Sequence, residues 1–329
     1  MTAPLLELRD LRISFGNSDR VWAEALRGVD LTLDPGEVLG VVGESGSGKS
    51  IAMMAFLQLL PPGTRVTGSA RFDGQELIGM APSRIQRIRG KDIGCVFQDP
   101  LSAFNPVLRI GDQIAEAIRL HDRSISSRDA LKEVERLFER VAIPQPSRRV
   151  RQYPHEFSGG MRQRAMIAMA LANRPKLVIA DEPTTALDVT VQAQILDLLR
   201  ELRSDLGIGL VLITHDLGVV AGIADRIAVM YGGRIVEQAE TDPLFYETAH
   251  PYTSGLIGAV PTIDGSRALQ QIEGTPPSIL NRPPGCSFHP RCSRAQAICA
   301  AVDPGLRRTG GTECACHFPI GAHQTEVAE

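Results

Sequence analysis

The segment LGVVGESGSGKS, Leu39 to Ser50, constrains this chain more than any other. EVLGVVG reads as a short buried strand and SIAMMAFLQLL as the opening of a helix. Between them lies G-x-x-x-x-G-K-S, from Gly43 to Ser50. In that strand–loop–helix setting, Gly43, Gly46 and Gly48 let the backbone bend tightly. Successive N–H groups then face one concavity, which suits phosphate oxygens, and the helix N-terminus adds its dipole. Lys49 is placed to reach the β- and γ-phosphates of a nucleotide, and the Ser50 hydroxyl to hold Mg²⁺. A bland glycine-rich turn would not need a strand and a helix on its two sides.

Two further segments share this chemistry. KLVIADEP, Lys176 to Pro183, is a buried strand that ends on two acids. Acids at the C-terminal end of a parallel strand lie where α/β sheets bind ligands. Asp181 is expected to support Mg²⁺, and Glu182 to polarise a water for in-line attack on the γ-phosphate. FSGGMRQRAMIAMALANRP, Phe157 to Pro175, opens a helix at Ser158, Gly159 and Gly160, a second anion-binding nest.

These segments in this order resemble the ATP-binding subunits of ABC transporters. FSGGMRQR stands where that family has its LSGGQ-type signature. FQDP supplies Gln98, similar to the glutamine that touches Mg²⁺ and the attacking water. TTALD, Thr184 to Asp188, resembles the loop at the dimer interface, and LITHD supplies His215 as the switch histidine against the γ-phosphate. The resemblance covers residues 5–255. It implies an α/β fold: a RecA-like ATPase core with an antiparallel β subdomain and a helical subdomain at about 107–172. GDQIAEAIRL and ALKEVERLFERV in that helical stretch both carry apolar residues at helical spacing.

The family implies an ATP site of Gly43, Glu44, Ser45, Gly46, Ser47, Gly48, Lys49, Ser50, Gln98 and Asp181, with Phe15 stacked on adenine and Trp22 as its rival. Ser50, Gln98 and Asp181 would hold Mg²⁺, with Glu182, His215 and Gln98 catalytic. Ser158, Gly159, Gly160 and Asp188 would contact the ATP of a second subunit, so that ATP joins a head-to-tail dimer with a copy or a paralogue. Phe97 to Ile118 would dock the membrane subunits; within it, Phe104 and Leu108 read equally as core.

The nucleotide domain is expected to span 1–240 and a small cysteine-rich C-terminal extension 241–329. HPYT at His250 to Thr253 is similar to the oligopeptide, dipeptide and nickel importer branch. IEGTPPSILNRPPGC reads as an extended strap. Only Cys95 precedes a terminal group spaced C-x5-C-x6-C-x14-C-x-C from Cys286 to Cys316. That spacing is neither the paired C-x2-C of zinc ribbons nor a bacterial ferredoxin run, so it leaves the metal open. By resemblance to the branch, Cys286, Cys292, Cys299 and Cys316 hold a [4Fe–4S] cluster, with Cys314 as the alternative fourth ligand. His289 and His317 keep a Zn²⁺ site open.

Net charge is −3, from 35 basic and 38 acidic residues, which gives no case for nucleic acid. No apolar run reaches the roughly 20 residues that span a bilayer, and MTAPLLELRD lacks a secretory pattern. The chain is therefore expected in the cytosol, and the resemblance implies a place at the cytoplasmic face of the membrane. Two permease subunits, a second ATPase and an extracytoplasmic binding protein are the expected partners. The expected role is to power import of di- and oligopeptides. Alternatives are import of nickel or another small solute, or a soluble ABC ATPase outside transport; a non-catalytic subunit would show degenerate acids, and none is degenerate here.

Overall fold

The computed structural model describes residues 3–16, 23–185, 187–260 and 271–321. The chain divides into two compact units that interleave in sequence. One consists of 1–5, 34–37 and 79–213; the other of 6–33, 38–78 and 214–329.

The first unit carries three parallel neighbouring strands, Ile93–Val96, Leu177–Asp181 and Gly209–Thr214. Their apolar runs are buried almost end to end, as strands covered on both faces require. Helices Ile110–His121, Ser127–Arg140 and Gly159–Leu171 pack on one another. Ser127–Arg140 begins with Ser126 accepting from the Asp129 amide and buries Ala130, Val134, Leu137 and Phe138, a stripe at helical spacing. Phe104 is core, at 3% exposure, whereas Phe97, Leu101, Val107 and Leu108 are exposed.

In the second unit, Leu6–Phe15 pairs antiparallel with Ala23–Leu33 and with Arg65–Phe72. Strand Val38–Val42 is buried throughout and runs parallel to Arg226–Tyr231, which pairs antiparallel with Arg234–Glu240. The tail extends this sheet. Thr312–Cys314 pairs with Arg234–Glu240, and Arg307–Thr309 pairs with Thr312–Cys314. Residues 271–285 form no helix or strand beyond a bridge between Ser278 and Asn281. Among the described residues, no helix is long and apolar enough to cross a membrane.

Candidate functional site

The Lys49 loop belongs to the second unit. Strand Val38–Val42 delivers it and helix Lys49–Phe56 receives it. A side chain at Gly43 would strike the Met230 carbonyl oxygen, so only glycine lets the strand end lie that close to its neighbour. Gly48 starts the helix without any side-chain cap. A helix N-terminus at the end of this loop turns its dipole toward an anion, as phosphate binding requires. Lys49 is 5% exposed, and its Nζ donates to the Gly43 carbonyl at 2.6 Å and the Glu44 carbonyl at 3.0 Å. Ser47 Oγ is buried with no hydrogen-bond partner among the described residues. An orphaned hydroxyl beside a buried ammonium suits a phosphate oxygen. Ser50 is half-buried, Ser45 and Gly46 exposed.

Two other expected residues share this unit. His215 is exposed just beyond strand Gly209–Thr214, and Asp216 after it caps helix Leu217–Ala221 through the Gly218 amide. Phe15 is half-buried at a strand end, opposite Ala23. Its rival Trp22 lies outside the described residues.

The acids belong to the first unit. Asp181 ends strand Leu177–Asp181, and both Asp181 and Glu182 are half-buried. Glu182 adopts φ 47°, the left-handed region that a side chain rarely enters. Its amide donates to the Ile213 carbonyl at 2.8 Å, which holds the bend. Gln98 Nε2 and Thr185 Oγ1 both donate to Glu182 Oε2 at 2.9 Å. Gln98 and Glu182 thus come together, and Thr185 is a partner that the motif reading missed. Backbone in this region recurs at functional sites.

The SGG segment is also in this unit. Ser158 is exposed and caps helix Gly159–Leu171 through the Met161 amide. Asp188 is likewise exposed and caps helix Val189–Leu206 through the Val191 amide. A Cβ at Gly160 would lie 2.8 Å from Val191 Cγ1, so the two helix starts pack together and glycine permits it. Ser158, Gly159, Gly160 and Asp188 therefore form one surface.

In the tail, Cys286, Cys292, Cys299 and Cys316 line one cavity with His250, His289 and His317, and among the described residues no acidic side chain lines it. Cys314 is not in that lining. Its buried thiol donates to Cys316, which holds Cys316 below the ordinary thiol value and raises Cys314. Burial pushes Cys286 up to about 11. Among the described residues, no three His, Cys, Asp or Glu side chains converge as a metal-holding group. The expected cluster ligands share a cavity of the right donor chemistry, soft thiolates without carboxylates, but are not drawn together as ligands.

Sequence reasoning also missed how the tail meets the Lys49 loop. Tyr252 Oη accepts from the Glu44 amide at 2.8 Å, and Arg291 binds the Glu44 carboxylate. Phe288 packs against Tyr231 and Tyr252, each with ring centroids 5.3 Å away. A lone arginine between two cysteines has no periodicity or spacing to announce it.

Comparison with known proteins follows this geometry. Residues 26–185 match the ABC transporter family, and residues 236–299 match the oligopeptide/dipeptide transporter C-terminal region. The oligopeptide transport ATP-binding protein OppD of Bacillus subtilis is 49% identical over 312 residues, covering 94% of this chain and 87% of that protein. The protein of the same name from Salmonella typhimurium is 47% identical over 317 residues, covering 96% and 94%. The dimeric, post-hydrolysis structure of the ATP-binding cassette MJ0796 bound to ADP and Pi superposes with a TM-score of 0.64 at 27% identity, covering 72% of this chain and 98% of that one. With both regions matched and near-half identity along almost its whole length, this chain belongs to the ABC transporter ATP-binding proteins that carry the oligopeptide/dipeptide C-terminal region.

Proposed function

We propose that this chain binds and hydrolyses Mg-ATP as the peripheral ATPase subunit of an oligopeptide importer. One observation carries the reading: an ATP-binding cassette and the oligopeptide/dipeptide C-terminal region, at 236–299, occupy one chain. Lys49 and the amides from Gly43 to Ser50 bind the phosphates. Ser50, Gln98 and Asp181 would hold Mg²⁺, which would offset the negative charge of the phosphates. Glu182, oriented by Gln98 and Thr185, takes a proton from the attacking water, and His215 contacts the γ-phosphate. Phe15 stacks on adenine.

Ser158, Gly159, Gly160 and Asp188 complete the site of a second ATPase, a copy or a paralogue. Their shared exposed surface supports this, and MJ0796 is itself seen as a dimer with ADP and Pi. The exposed apolar side chains Phe97, Leu101, Val107 and Leu108 favour a docking face for two permease subunits at the cytoplasmic side of the membrane. An extracytoplasmic binding protein would select the peptide. Residues 1–240 act as the nucleotide domain and 241–329 as the extension.

Within the extension, Cys286, Cys292, Cys299 and Cys316 would hold a [4Fe–4S] cluster, which would crosslink a segment with few apolar residues. Their common acid-free cavity supports this set, and the absence of Cys314 from its lining favours Cys316 as fourth ligand. Anaerobically purified protein should show broad visible absorbance and contain iron; zinc alone would assign the site to Zn²⁺, and metal-free protein would remove it.

The function is tested by ATP hydrolysis in the assembled transporter with peptide-loaded binding protein. Peptide should stimulate hydrolysis, and Glu182→Gln should abolish both hydrolysis and uptake. Stimulation by nickel but not peptide, or wild-type rates in the variant, would contradict the reading.

A further inference from the structure

One shielded ion pair is unused by the chemistry above. Arg291 stands in the cysteine segment, but its side chain leaves that segment for the Lys49 loop. Nη1 donates to Glu44 Oε2 at 2.6 Å and Nη2 to Glu44 Oε1 at 3.0 Å, a two-pronged fork. Nη1 also donates to Tyr231 Oη at 3.2 Å, and Nε to the Glu273 carbonyl at 2.9 Å. The guanidinium carbon lies 5.9 Å from the Tyr231 ring centroid and 6.0 Å from that of Phe288. The Arg291 side chain is 6% exposed and that of Glu44 25%. This is not a surface pair whose strength water removes.

Glu44 is engaged at each of its polar groups. Arg291 takes its carboxylate, the Tyr252 hydroxyl accepts from its amide at 2.8 Å, and Lys49 Nζ donates to its carbonyl at 3.0 Å. The residue whose carbonyl accepts from the Lys49 ammonium is therefore held by two residues of the tail, Tyr252 at its amide and Arg291 at its side chain. Glu44 also places a negative charge on a loop that must accept a polyanion. Unpaired, that carboxylate would repel the phosphates across a partly dry site, where charges are screened weakly.

We propose that Arg291 is a positioning residue for the nucleotide site: by pairing with the Glu44 carboxylate it cancels the one acidic charge of the Lys49 loop and holds the residue whose carbonyl helps to aim Lys49. The inference rests on reading that loop as the ATP cradle. It gives the C-terminal extension a direct hold on nucleotide affinity.

The test is calorimetric titration of the full chain with Mg-ATP. Arg291→Ala should weaken binding by about tenfold, the order expected when one unit charge near the phosphates is left uncancelled. Arg291→Lys, which keeps the charge but not the fork, should recover most of the loss. Arg291→Ala combined with Glu44→Gln should bind more tightly than Arg291→Ala alone, because the stranded carboxylate is gone. A purely structural arginine would show no such recovery. If Arg291→Ala does not fold, Arg291→Gln, which retains bulk and donors, takes its place in both comparisons. Unchanged affinity in the arginine variants, or no recovery in the double variant, overturns the proposal and leaves the cradle intact. Failure of the wild-type chain to bind Mg-ATP overturns both.

Discussion

At the scale of single residues, the strained Glu182 is the most informative. At its φ of 47° its amide donates to the Ile213 carbonyl, and Gln98 and Thr185 hold its carboxylate. A carboxylate so held would be preorganised for the base role proposed for it. Glu182→Gln keeps the shape and removes the basicity, so hydrolysis should fall by at least about 100-fold while Mg-ATP binding persists. Steady-state phosphate release and equilibrium binding measure the two effects. Cys95 gives a second prediction. Burial pushes its thiol up to about 12, so it carries almost no thiolate at pH 8. Iodoacetamide in native protein at that pH should leave Cys95 unmodified by mass spectrometry, and should modify it once the chain is unfolded. The residues proposed for the site were legible because each sits in a dense local pattern: Lys49 among glycines after a strand, Glu182 after LVIAD, Ser158 before two glycines. Thr185 and Arg291 were not. Their roles come from contacts with Glu182 and Glu44, at separations of 3 and 247 residues, and only the second of these is beyond any motif.

At the scale of elements, the join between tail and sheet turns on Glu237. This residue of strand Arg234–Glu240 is fully buried. Its carboxylate accepts from the Ala249 amide at 2.6 Å, the His250 amide at 3.1 Å and Thr248 Oγ1 at 3.2 Å, and its backbone pairs with Cys314. Glu237→Leu would strand two amides, at a cost of about 3 kcal/mol. Glu237→Gln retains an acceptor and should cost less. Denaturant unfolding of the two variants against wild type checks the order; equal stability would show that the carboxylate does not anchor the tail. Longer elements were readable from periodicity, as with Ala130, Val134, Leu137 and Phe138 along one helix. The tail strands were not, since Arg307–Thr309 and Thr312–Cys314 have 3 residues each and are fixed by pairing rather than by pattern.

At the scale of the whole molecule, the account makes this chain half of an ATP-joined pair. Ser158 and Asp188 use their side chains to cap helices yet remain exposed, as the in-trans ATP contact proposed for them requires. The Glu182→Gln variant, which retains ATP, should associate with itself or with its paralogue on adding Mg-ATP, and Gly159→Asp should prevent that association. Light scattering after size-exclusion chromatography reads both. The chain order of the motifs announced the family, but not the interleaving of its two compact units, because that follows from contacts between segments far apart in sequence.

The most direct measurement is a titration of the purified full chain with Mg-ATP beside its Lys49→Ala variant. The account predicts saturable binding by the wild-type chain and a loss of about 100-fold or more in the variant, as expected for removing a buried ammonium from a phosphate site. Absence of binding to the wild-type chain, or equal affinity in the two, would contradict it.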